Sequence, residues 1–161
     1  MKIQHALKSF LGVKKLVSML LIAIPFAALA GVDTETDENG VILAGHDVVA
    51  YFTESKPVLG KAKYTAVHNN AIYRFSSASN RDTFTKTPGK YAPQYGGFCA
   101  YGASLGKKFS VDGKAFEVVD GKLYVNKNLN VYEIWKKDKA GYIKTADAKW
   151  SVIETTAADK L

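Results

Sequence analysis

The chain has 161 residues, the length of one ordinary domain, and its 47% hydrophobic and 23% charged residues suit a globular rather than a disordered protein. Its formal charge of +7 invites a nucleic-acid reading, but four lysines (Lys2, Lys8, Lys14, Lys15) lie in the first thirty residues, which hold no acid. The rest carries eighteen basic and fifteen acidic side chains, a mild excess, and only Arg74 and Arg81 offer a planar guanidinium fork, which argues against a nucleic-acid partner.

Met1–Lys15 is basic, Leu16–Ala30 is an apolar run broken by Ser18 and Pro25, and Ala28-Leu29-Ala30 ends it with small residues. This pattern predicts a cleaved signal peptide over 1–30, the apolar run being short of the ~20 residues that span a bilayer. An uncleaved anchor is the alternative. A chain beginning at Gly31 has no membrane span and belongs in a periplasm or outside the cell. It also contains no methionine, since Met1 and Met19 both precede the cut. Cys99 is the chain's one cysteine, so in an oxidising compartment it must be buried and inert, paired with another molecule, reactive, or a ligand.

In chain order, 31–40 is acidic (Asp33, Glu35, Asp37, Glu38) and reads as a flexible arm. Val41–Phe52 is apolar with a turn at Gly45–Asp47, leading into a second strand or a helical turn. Tyr64–Val67 and Ala71–Phe75 read as a hairpin closed by His68-Asn69-Asn70. Ser79-Asn80-Arg81-Asp82 resembles a capping box for a helix ending near Lys86, before Pro88. A loop over Tyr91–Gly97 follows, in which Gly96-Gly97 permit close backbone approach, then a short helix over Phe98–Leu105 stopped by Gly106. Asp112-Gly113 and Asp120-Gly121 are turns, the second between Phe116–Val119 and Lys122–Val125. Asn130-Val131-Tyr132-Glu133 predicts a helix ending near Lys139, with Val131, Ile134 and Trp135 on one face; a further helical turn is expected around Ala146–Trp150. A polar tail occupies 154–161. The sum is a single α+β domain over 41–153, built of β-hairpins with short helices packed on them.

Gly45-His46-Asp47-Val48-Val49-Ala50-Tyr51-Phe52, Tyr73-Arg74-Phe75-Ser76-Ser77 with Asn80-Arg81, and Pro88-Gly89-Lys90-Tyr91 resemble the YHS domain. The run Tyr91–Tyr101 and the hairpin at Asp120–Tyr124 resemble the longer, exported members of that family. The resemblance covers roughly Val41 to Trp150 and implies heavy-metal handling, as in copper-transporting ATPases and metal-dependent hydroxylases. The metal-binding relatives carry three cysteines at positions occupied here by Ala50, Ser76 and Asn80, so that thiolate site does not carry over.

Cys99 follows Gly96-Gly97 in the first turn of a predicted helix, where free N–H groups and the helix dipole favour a thiolate. The alternative is a free cysteine packed among Phe98, Tyr95 and Tyr101. His46, at a bend beside Asp47, is a candidate second ligand whose ring Asp47 would orient; otherwise it makes structural hydrogen bonds at a turn. His68, at the hairpin tip, reads as exposed. Asp47, Tyr51, Tyr95 and Tyr101 are candidates for lining a ligand pocket, against the plainer expectation that the tyrosines stiffen the core. Lys107-Lys108 and Lys136-Lys137 read as solvated faces.

No Ser/His/Asp spacing is present and no reaction type is legible. The expectation is a small exported binding protein holding a transition metal (copper or zinc, copper favoured) or a metal-containing ligand through Cys99 and His46. The alternatives are a non-catalytic interaction or scaffold domain, with a protein partner and an inert Cys99, and a thiol redox sensor.

Overall fold

Two adjacent asparagines set the first element of the fold. In the computed structural model, which describes residues 32–161, Asn69 and Asn70 both take positive φ (47° and 58°). They turn β1 (Lys61–His68) back on β2 (Ala71–Phe75) in an antiparallel pair. This is the tight turn that matches strand twist, and Asn tolerates its left-handed backbone. A bulge between Lys61 and Thr65 breaks the ladder at its far end. Asp120 and Gly121 (φ 50° and 73°) close a second hairpin in the same way, β3 (Phe116–Val119) with β4 (Lys122–Val125).

The helices start where side chains satisfy their free N–H groups. Asp47 caps α1 (Val48–Thr53), so the apolar stretch after Gly45 resolves as a helix rather than a strand. Ser77 caps α2 (Ala78–Lys86) by accepting from Asn80 N–H, two residues before the expected Ser79. Pro88 opens the single turn α3 (Pro88–Tyr91), and Cys99 is itself the cap of α4 (Ala100–Ser104). Asn128, not Asn130, caps α5 (Leu129–Trp135). The expected turn around Ala146–Trp150 is part of a fifteen-residue helix, α6 (Lys139–Ile153), capped by Asp138. The elements are those of a small α+β domain with two two-stranded antiparallel sheets.

β4 divides the core by its period of two. Leu123 and Val125 face a cluster formed by Tyr51, Tyr73, Phe75, Phe84 and Cys99, where the Tyr73 and Phe84 rings lie 4.5 Å apart. Tyr124 faces the other way, onto Trp135, Tyr95 and Ala146. Trp135 is wholly buried, and a buried side chain of this class contributes about 2–3 kcal/mol of apolar transfer. Ala100 and Ala103 of α4 share this second cluster with Ala146 of α6, small residues that let the two helices approach closely.

The acidic segment is not a free arm. Thr34 and Glu35 are buried, Glu35 N–H donates to Gly96 O at 2.8 Å, and Thr34 Oγ1 donates to Asn69 O at 3.2 Å. Farther on, Ile72 N–H donates to Gly40 O and Ile42 N–H to Ile72 O, so the chain runs beside β2. The segment stays in place because β2 offers an unpaired edge and Gly96 a place without a Cβ. The expected signal peptide lies outside the described residues. Among the described residues, no helix is long and apolar enough to cross a membrane.

Candidate functional site

Cys99 is fully buried. Its Sγ accepts from Gly102 N–H at 3.4 Å and donates to Asn126 Oδ1 at 3.6 Å, while its own N–H donates to Phe109 O. Burial pushes the thiol pKa up from its ordinary value of 9.0, outweighing the N–H groups of Gly102, Lys127 and Tyr101 that favour the thiolate. The expected thiolate-stabilising N-terminus is therefore present, but desolvation wins and Cys99 serves α4 as a neutral cap. Asn126, which the sequence did not single out, holds this corner: its Oδ1 also accepts from Tyr101 N–H at 3.1 Å. Its Nδ2 is buried without a partner among the described residues.

His46 is buried, and Asp47 does not orient it. The imidazole Nδ1 lies 2.9 Å from Leu43 O, and since a carbonyl can only accept, Nδ1 carries the proton. Gly113 packs so closely that a Cβ there would lie 2.3 Å from Nδ1. Asp47 is fully engaged elsewhere. Oδ1 accepts from the N–H groups of Val49 (2.9 Å) and Ala50 (3.4 Å). Oδ2 accepts from Ser76 N–H (2.8 Å), Ser76 Oγ (2.7 Å) and Asn80 Nδ2 (2.7 Å). Ala50, Ser76 and Asn80, the three positions at which the resemblance looked for thiolates, thus meet around one carboxylate. Hydrogen-bond donors stand at two of the places where sulfur ligands would be needed, Ser76 and Asn80, and a methyl at the third, Ala50.

The tyrosines do not converge on a pocket. Tyr51 donates to Gly113 O at 2.5 Å and stacks beside His46 at 6.5 Å between ring centroids. Tyr95 lies in the second cluster and donates to Asp147 Oδ1 at 2.8 Å. Tyr101 sits between the clusters, edge-on to Tyr142. Burial raises the phenol pKa values of Tyr51 and Tyr95 far beyond the ordinary range, as expected for packed, hydrogen-bonded rings. His68 is half-buried, its ring 5.9 Å from Phe84, rather than exposed at the tip. An open groove of about 700 Å³ lies instead between the β3–β4 turn and the start of α6, lined by Asp120, Lys137, Ile143, Lys144 and Asp147 among others. None of the candidate metal or pocket residues (Cys99, His46, Asp47, Tyr51, Tyr95, Tyr101) is among those lining it.

Among the described residues, no group of three or more His, Cys, Asp or Glu is arranged to hold a metal ion. As packed, the sulfur is enclosed, the carboxylate is saturated, and no hydrogen bond joins Cys99 to His46. Comparison with protein-family models, curated proteins and solved structures finds no match to this chain.

Two charged residues that sequence reading placed in solvent are buried. Lys108 is 5% exposed, and Glu35, at 7%, has one carboxylate oxygen without a partner among the described residues. Desolvation raises the Glu35 pKa from its ordinary 4.5, against the opposing hydrogen bonds of Leu43, Val111 and Ser110; nearby Asp37 raises it further. A raised folded-state pKa means the stabilising contribution is full below the unfolded value and is lost as pH rises through the folded one. Thermal melts of the wild type and Glu35→Gln should therefore diverge in the variant's favour between pH 4.5 and pH 7. A constant difference over that range would show that Glu35 has its ordinary pKa.

Proposed function

We propose that the chain is a small exported, non-catalytic interaction domain of the YHS type, in which Cys99 is structural. The observation that carries this reading is the enclosure of Cys99 Sγ, spent as the cap of α4 and fixed by Asn126. The export pattern of 1–30 and the motif runs across 41–150 support the family and the compartment; the saturation of Asp47 supports a fold-building rather than a ligating role for the Gly45–Phe52 motif. A binding partner is then a protein or small ligand engaged without the thiol. A structural, neutral thiol should react with a thiol reagent at least about a hundredfold more slowly in the folded protein than in the unfolded one. Rapid reaction of the folded protein with a depressed thiol pKa would favour the redox sensor instead.

One observation favours a metal: Nδ1 donates to Leu43 O, so in the neutral ring of His46 the lone pair sits on Nε2, the arrangement that a ligating imidazole uses. Copper or zinc would be the element, with Cys99 reached only after opening. Metal analysis of the protein purified from the cells that export it, beside Cys99→Ser, decides between the readings. Stoichiometric metal in the wild type and none in the variant would establish the thiolate site. No metal in either leaves the interaction domain.

A further inference from the structure

The ammonium of Lys108 sits in a cage made by three separated parts of the chain. Its Nζ donates to Val32 O, to Glu154 O (2.7 Å) and to Thr156 O (2.8 Å). The rings of Phe98 and Trp150 each present a centroid 5.2 Å from Nζ. An ammonium has three donors and no acceptor, and three carbonyls meet them. The two aromatic faces supply the remaining attraction to a desolvated cation. Burial pushes the Lys108 pKa down, while Asp33 and Glu154 favour its charged form. Planar guanidinium does not match this geometry, and an apolar side chain would leave three carbonyls facing it unpaired.

The cage also joins the two ends of the described chain. Val32 begins the segment 32–37, which rests on Gly96; Glu154 and Thr156 follow the last turn of α6. We propose that this cage is a binding site for a primary ammonium, filled in the resting fold by Lys108, and that docking of the 32–37 segment depends on its being filled. The site is an internal latch: a cation in the cage draws the segment and the C-terminal end of α6 onto Phe98 and Trp150, and loss of the cation lets the segment lift.

Lys108→Ala removes the atoms of n-propylammonium, so that cation is the direct probe. In the full chain, amide hydrogen exchange over 32–37 should speed up about tenfold in Lys108→Ala, the size of one lost charge-assisted contact. Adding n-propylammonium should slow it again, whereas n-propanol, of the same shape without the charge, should not; the wild type should respond to neither. Unchanged exchange in Lys108→Ala, or equal rescue by the alcohol, would overturn the proposal. Should Lys108→Ala fail to fold, Lys108→Met keeps the volume: fast exchange over 32–37 in that variant supports the latch, and wild-type exchange sinks it.

Discussion

Asp47→Ala should be among the most damaging single substitutions in this protein, destabilising it by about 3–5 kcal/mol. The carboxylate is completely buried and receives five donors from three places: the start of α1, the end of β2 and the first turn of α2. Removing it leaves the N–H groups of Val49, Ala50 and Ser76, the hydroxyl of Ser76 and the amide of Asn80 facing a hole too small to hydrate well. α1 loses its cap as well, a further loss of about 1 kcal/mol that is already part of the range. Asp47→Asn keeps the shape but turns one acceptor oxygen into a donor among donors, so it should recover little. Urea unfolding of the two variants beside the wild type measures this directly. A loss below about 1 kcal/mol for Asp47→Ala would mean that water replaces the carboxylate, and that the motif around it is free to do something other than hold the fold.

The hairpins were readable in the sequence because their turns are dictated locally. Asn69-Asn70 and Asp120-Gly121 favour positive φ whatever surrounds them, and flanking apolar residues fix which side of each strand is buried. Helix starts were less readable because neighbouring residues compete for the cap. Ser77 and Ser79 are both suitable, and the choice falls to Ser77 because Asp47 grips Ser76 and sets the direction of the chain just before it. α6 was largely missed since its buried face is made of Ala146 and Ile153 with half-buried aromatics, a weak stripe that has meaning only against the alanines of α4.

The candidate site divides in the same way. That Cys99 lies at the start of a helix was visible in Gly96-Gly97 and the short apolar run after it, though as a residue of the first turn of a helix from Phe98 rather than as the cap of one that begins at Ala100. That the thiol is neutral was not, because its environment comes from Asn126 and Phe109, contacts set by tertiary packing. Lys108 and Glu35 were assigned to solvent for a related reason. Adjacent lysines and an acidic run ordinarily mark a wet surface, and only the folded chain brings three carbonyls to one ammonium, or Gly96 to the backbone of residue 35.

Gly96→Ala tests how the N-terminal segment is held, and it should detach that segment without unfolding the rest. Gly96 has φ +58°, and an added Cβ would lie 1.9 Å from Asp33 O and 2.9 Å from its carbonyl carbon. Neither atom is the flexible end of a side chain, so backbone must move. Left-handed backbone alone costs alanine about 1–2 kcal/mol, and overpacking of this kind adds about 1–3 kcal/mol. The second part is bounded, because the segment can leave once the clash exceeds its own docking energy. The expected loss is therefore about 2–4 kcal/mol, the segment over 33–35 becoming protease-sensitive while the two core clusters stay formed. Detachment returns Glu35 to water and its carboxyl to its ordinary pKa, so the change in the Glu35→Gln difference between pH 4.5 and pH 7 should vanish in the Gly96→Ala background. If it persists there, the carboxyl keeps its buried pocket by another route. Gly96 would then matter for the Tyr95–Gly97 turn alone, and the segment would be anchored from its Lys108 end.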